Sequence, residues 1–135
     1  MNGADSFADT NILLYVVSKE LDKVKRAQQV IDSGPFISVQ VLNEFVSVSR
    51  RKFKLAWHEL HEVLAPIRNR CRVVDLKLEI HQRAMELAAE SNINIYDGNI
   101  VAAAEYAGCR KLLSEDLNHG QRIGGVTIRN PFLPA

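Results

Sequence analysis

Four acidic residues draw attention by where they fall: Asp9, Glu44, Asp97 and Asp116. Asp9 ends the short apolar run Ser6-Phe7-Ala8, and Asp116 follows Leu112-Leu113-Ser114-Glu115. Glu44 is embedded in an apolar segment between Leu42 and Phe45. Asp97 opens a stripe of Ile100, Val101, Ala104 and Ala107 at helical spacing. Singly, each has an ordinary role: a turn residue at Asp9, a solvated helix edge at Glu44, an N-cap at Asp97, a loop residue at Asp116. Gathered at one end of a fold, they would repel, and some would be forced to take up protons. A hard divalent cation relieves that repulsion. Mg²⁺ takes oxygen ligands and keeps several waters, and Mn²⁺ suits the same donors. One such ion, or two roughly 4 Å apart, activates water and polarises a phosphoryl oxygen, so the matching chemistry is phosphodiester hydrolysis. Thr10, Asn11 and Ser114 carry hydroxyl and amide groups able to orient the carboxylates. Asn11 is favoured, because it flanks Asp9 where the chain must turn into a helix.

The elements that would gather these acids read as short strands alternating with helices. Ser6-Phe7-Ala8 is a first strand, followed by a short helix from Asn11 to Val17 and another over Lys19 to Ile31. Ser33-Gly34-Pro35 breaks the chain. Phe36 to Val39 is a second strand, and the helix carrying Glu44 runs into Arg50-Arg51-Lys52. Ala56 to Arg68 is amphipathic. Arg72 to Asp75 is a third strand and Leu78 to Ala89 a helix. Asp97 is expected to cap the next helix, which Gly108 ends. Lys111 to Ser114 is a fourth strand and Val126-Thr127-Ile128 a possible fifth. This order predicts an α/β fold with a mostly parallel central sheet of four to five strands flanked by helices. Sites in such sheets form beyond the carboxyl ends of the strands, where Asp9 and Asp116 fall.

Composition fits this reading without selecting it. At 135 residues, with 47% hydrophobic and 24% charged residues, the chain is expected to form a single domain spanning 1–135. A net charge of +1 implies neither a nucleic-acid partner nor a membrane one. No apolar run reaches the roughly 18 residues of a membrane span. The start, Met1 to Ser6, lacks a basic region and an apolar signal core, so a cytoplasmic location is expected. Cys71 and Cys109 match no metal-ligand spacing and read as packed thiols. Arg50, Arg51 and Lys52 begin the densest basic run and can meet phosphates leading to the acids. The alternative for them is a solvated helix C-terminus, where cations are favoured. Arg122 is a further phosphate candidate. His119, near Asp116, is a weaker substrate contact, and His58 and His61 are one residue short of a zinc-binding spacing.

The motifs resemble a known family. Phe7-Ala8-Asp9-Thr10-Asn11-Ile12-Leu13 is similar to the opening motif of PIN-domain ribonucleases, and Ser38 to Phe45 resembles their second acidic motif. Tyr96-Asp97-Gly98-Asn99 to Ala104 resembles the third, and Leu113-Ser114-Glu115-Asp116-Leu117 the fourth. The tail from Asn118-His119-Gly120 to Asn130-Pro131-Phe132 resembles that of the VapC-type branch. The resemblance implies a PIN fold, bound Mg²⁺ or Mn²⁺, and endonucleolytic cleavage of RNA. It also implies the toxin half of a type II toxin–antitoxin pair, a homodimer blocked by a small antitoxin. By carry-over, Asp9 and Asp97 are the principal metal ligands, Glu44 and Asp116 complete the cluster, and Asn11 supports Asp9. Gly98 and Asn99 depart from the third motif's two small or apolar residues, and Gly98 is expected to loosen the geometry around Asp97.

Three rival readings share some of these features. A phosphatase of the haloacid-dehalogenase kind wants a second acid two residues after the first, where Asn11 stands. A receiver domain wants paired acids before the acceptor strand, and only Asp5 is available. A PIN-like module that binds RNA or protein without cutting has normally lost one or more of the acids.

Overall fold

The computed structural model describes residues 5–134. Met1 to Ala4, on which the expectation of no signal segment falls, and Ala135 lie outside the described residues.

Each short apolar run forms a strand. β1 is Ser6–Ala8, β2 Phe36–Ser38, β3 Arg72–Val74, β4 Lys111–Leu113, β5 Arg122–Ile123 and β6 Val126–Arg129. The helices between them are α1 Thr10–Leu14, α2 Leu21–Asp32, α3 Val39–Lys52, α4 Trp57–Arg70, α5 Leu78–Ser91 and α6 Ile95–Tyr106. A single 3₁₀ turn, Tyr15–Val17, links α1 to α2. The strands form one six-stranded sheet in the order β3-β2-β1-β4-β6-β5. All neighbours are parallel except β5, which is antiparallel to β6. The sheet is therefore larger than the four to five strands expected. The added strand, β5, has two residues, too few to show any alternation.

Strand order explains where a site can form. From β1 the chain steps outward to β2 and β3, then returns to β4 on the other side of β1. The crossovers thus part at the β1–β4 seam, which opens a crevice beyond the carboxyl ends of these strands. The seam is pinned by Phe7 opposite Leu112 and Ala8 opposite Leu113, all buried. Burying a side chain the size of Phe7 or Leu112 contributes roughly 1.5–3 kcal/mol each, so the rows cannot slip cheaply.

Helix α6 is buried over much of its surface, at Gly98 and Ile100 through Ala104, because α5 covers it on one side. Gly98 is where the helices touch. A Cβ there would stand 2.6 Å from the Ala84 carbonyl oxygen of α5. The expected loosening at Gly98 gives way to the opposite account: the missing side chain lets the first turn of α6 press against α5. The start of α6 also differs from expectation. Its cap is Asn94, whose side chain accepts from the Asp97 backbone N–H at 2.8 Å, and Asp97 is the third helical residue. The exposed apolar residues Ile95 and Tyr96 lie outside the buried stripe and hide that first turn from a reading based on periodicity.

Candidate active site

Asp9 is the first residue after β1 and the N-cap of α1. Its backbone N–H donates to the Leu113 carbonyl at 2.9 Å, which carries the β1–β4 ladder one step past the strands. Its side chain is almost fully buried, with 6% exposure. Oδ1 accepts from the Thr10 N–H at 2.7 Å. Oδ2 accepts from Ser114 Oγ at 2.9 Å and Asn11 Nδ2 at 3.3 Å.

Ser114 joins the two strand ends. While its hydroxyl donates to Asp9, it accepts from the Asp116 N–H at 3.2 Å and the Leu117 N–H at 3.4 Å. The loop that presents Asp116 is therefore folded around the same oxygen that orients Asp9. Asn11 makes the second bridge, accepting from the Glu115 N–H at 3.1 Å. Glu115 is engaged elsewhere than in the acid cluster. Its carboxylate bonds Tyr15 and Lys23.

Glu44 reaches this end from α3. Thr10 Oγ1 donates to its Oε2 and Gln40 Nε2 to its Oε1, both at 2.8 Å. Asp97, half-buried, arrives from α6 and accepts from Asn94 Nδ2 at 3.1 Å. Gln40 and Asn94 were missed as orienting residues. The signals available were the i, i+4 spacing of Gln40 to Glu44 on one helix face and the Asn-x-x-Asp spacing of an N-cap residue and the third residue of its helix.

These carboxylates act on one another's charge. The Asp9 carboxyl is raised to about 7: burial pushes it up most, the bonds from Ser114 and Thr10 pull it partly back, and the charges of Asp116 and Asp97 add to the rise. Asp97 is also raised, first by burial, then by the charges of Asp116 and Glu44. None of the ion pairs among the described residues involves Asp9, Glu44, Asp97 or Asp116. The set is oxygen-only, acidic and in no ion pair among the described residues, which fits a hard divalent cation. Among the described residues, no three His, Cys, Asp or Glu side chains stand close enough to enclose an ion by themselves.

The basic residues divide. At 100° per residue, Arg51 and Lys52 lie on the Glu44 side of α3, two turns on. Arg51 borders a cleft with Glu44, and Lys52 a groove that reaches Asp116. Arg50, between turns, faces away: its guanidinium donates to the Leu55 carbonyl and stacks 4.5 Å over the Trp57 ring. Arg122 pairs with Thr127, in the row of Lys111 and Ser6, at the far end of the strands from Asp9. The structure brings neither Arg50 nor Arg122 to the acids. His119 accepts from the Asn130 N–H at 2.9 Å and so ties down the C-terminal segment, while His58 and His61 are exposed on α4. Cys71 and Cys109 are buried free thiols.

A family profile for the PIN domain matches residues 6–122. The chain belongs to the PIN-domain family. Solved structures share the fold of this PIN domain over most of its length. A toxin–antitoxin complex from Klebsiella pneumoniae is 22% identical, with a TM-score of 0.71, covering 94% of this chain and 98% of its own. A DNA-bound VapBC from Salmonella typhimurium is 20% identical, with a TM-score of 0.72, covering 97% of this chain and 99% of its own. VapC20 of Mycobacterium tuberculosis, a sarcin–ricin loop cleaving toxin, is 18% identical, with a TM-score of 0.64, covering 79% of this chain and 86% of its own. No curated protein matches the sequence. The PIN profile takes in all four acids and removes the phosphatase and receiver folds from consideration.

Proposed function

We propose that this PIN domain is a Mg²⁺- or Mn²⁺-dependent endoribonuclease, acting in the cytoplasm as the toxin of a type II toxin–antitoxin pair. The observation that carries the catalytic part is Asp9: a carboxylate buried at the β1–β4 switch point, raised further by neighbouring acids, and in no ion pair among the described residues. Asp9 and Asp97 would hold the metal, with Glu44 and Asp116 contributing directly or through water. When bound, such an ion supplies an activated water and charge relief at the phosphoryl oxygen. The protein's own part is orientation. Ser114, Thr10 and Asn11 fix both oxygens of Asp9, and Thr10 with Gln40 fixes both oxygens of Glu44. Arg51 and Lys52 draw the phosphate backbone toward the acids.

A PIN-like module that binds without cutting is disfavoured, since such modules have normally lost an acid and all four are present here. The toxin role, the small antitoxin and the homodimer rest on likeness to VapC and VapBC structures. The test is cleavage of single-stranded RNA by purified protein with Mg²⁺ or Mn²⁺, and again in excess EDTA. Cleavage should stop in EDTA and fall at least about 100-fold in Asp9→Asn and Asp97→Asn. Undiminished cleavage in chelator, or by either variant, overturns the reading. For the partner, a small protein encoded beside this one should co-purify and inhibit.

A further inference from the structure

A groove of about 560 Å³ begins at Asp116 and Asn11 and runs between the α1–α2 connection and the C-terminal end of α3. Leu14, Val17, Val48, Phe53 and Leu55 form its apolar walls. Its shape depends on one unusual residue. Lys54 adopts a left-handed backbone, φ 59°, and the Leu55 N–H returns to the Ser49 carbonyl at 3.2 Å. That turn places Phe53 and Leu55, on either side of Lys54, against the same groove. Lys19 and Lys52 stand at the rim, and neither is in an ion pair among the described residues. Of the acids that line it, Glu115 is already bonded to Lys23, Asp116 belongs to the acid cluster, and Glu20 alone opposes the two lysines.

We infer that this groove is the specificity pocket of the nuclease: it seats the unpaired base next to the phosphate being cut, with Phe53 as its apolar platform and Lys52 on the adjoining phosphate. The inference rests on the proposed ribonuclease activity and names the part of the substrate that the activity reads. Two features favour a nucleotide over a peptide. The groove is continuous with the acids through Asn11 and Asp116, so a strand whose phosphate reaches the acids delivers its next base there. An apolar slot with lysines at its rim also matches a nucleotide, which joins a flat apolar-faced base to an anionic phosphate.

The test uses the purified full chain and a short single-stranded RNA with one mapped cut. The same RNA is made abasic at the nucleotide on each side of the cut in turn. For the wild type, one of the two abasic RNAs should raise KM roughly 5- to 100-fold, the range expected for losing a base–aromatic stack. Phe53→Ala should raise KM similarly on intact RNA, add little on that abasic RNA, and be rescued by Phe53→Tyr. Phe53→Leu, with thermal melts of all variants, separates loss of stacking from loss of fold. Equal losses on intact and abasic RNA, or no rise in KM, overturn the pocket. So does a Phe53 effect confined to inhibition by an added peptide, which would make the groove a protein-docking site. Failure of the wild type to cut any RNA overturns the nuclease reading itself, and this inference with it.

Discussion

Helix α6 carries Asp97 near its start and Glu105 near its end, eight residues or about 12 Å apart along one axis. The two acids meet opposite electrostatics. Glu105 accepts from Arg83 Nε at 2.8 Å and Nη2 at 3.2 Å, and from the Gly125 N–H at 2.7 Å, which ties α5, α6 and the β5–β6 turn together. The Arg83 guanidinium holds its carboxyl below the usual value. Among the described residues the Asp97 carboxylate accepts only from the Asn94 amide, and it faces the charges of Asp116 and Glu44. Asp9, across the crevice from it, is raised further still. One end of the molecule neutralises its acid and uses it as a brace. The other end assembles acids without neutralising them, which destabilises the fold unless something positive binds there.

The largest expected effect tests that contrast by sign. A carboxyl raised to about 7 in the folded state binds its proton more tightly folded than unfolded. The metal-free protein should therefore lose stability as pH rises from about 4 to about 7, by an amount on the order of a few kcal/mol. Asp9→Asn removes the charge, so it should raise Tm at pH 7 without metal and flatten this pH dependence. Added Mg²⁺ or Mn²⁺ should stabilise the wild type and do little for the variant. Melting curves at pH 4, 5.5 and 7, with and without metal, decide it. A variant less stable than wild type at pH 7 would show that Asp9 is a brace like Glu105.

Glu105→Gln should go the other way. A depressed carboxyl stabilises the fold above its unfolded pKa, and that contribution is lost as pH falls through the lower folded value. The substitution should cost about 1–3 kcal/mol at pH 7, because it breaks charge-assisted bonds to Arg83, and much less in acid. RNA cleavage should be untouched, since Glu105 lies at the end of α6 away from the acids. Urea melts at pH 7 and pH 3 measure the difference.

Gly98→Ala tests whether packing positions the acid end. Its new Cβ must push the α5 backbone at Ala84 away, at a cost of about 1–3 kcal/mol. It also moves the first turn of α6, so cleavage should fall more than stability explains. Full activity in a folded Gly98→Ala protein would show that Asp97 tolerates a shift of its helix.

What the sequence made legible follows from the range of the forces involved. The places of Asp9 and Asp116 could be read because a strand-end acid needs only a short apolar run before it and the topology rule for parallel sheets. The helix start at Asn94 could not, because Ile95 and Tyr96 break the buried periodicity just where the helix begins. β5 escaped because two residues carry no pattern and its pairing depends on the Gly124-Gly125 turn. That Arg51 and Lys52 part from Arg50 needed only the helical angle, but which face met the acids needed the fold. The groove was invisible, because three segments far apart in sequence build it and one left-handed lysine shapes it.

That lysine gives the smallest expected effect and extends the comparison from charge to backbone. The brace end places glycine at its left-handed position, Gly124 with φ 56°. The acid end places Lys54 at φ 59°, where a side chain costs roughly 1 kcal/mol or more and glycine almost nothing. Lys54→Gly keeps the Leu55 return to Ser49 and should stabilise the protein by about 0.5–1 kcal/mol, less whatever the unfolded chain gains from glycine's freedom. If Lys54 serves only the turn, RNA binding at moderate salt should be unchanged. If its exposed amine also meets phosphate, the variant should be more stable yet bind RNA more weakly, with a shallower salt dependence by about one phosphate contact. Melts paired with salt titrations of RNA binding separate the two. The second result would mean that the acid end keeps both an unneutralised carboxylate and an unfavourable backbone for the same partner.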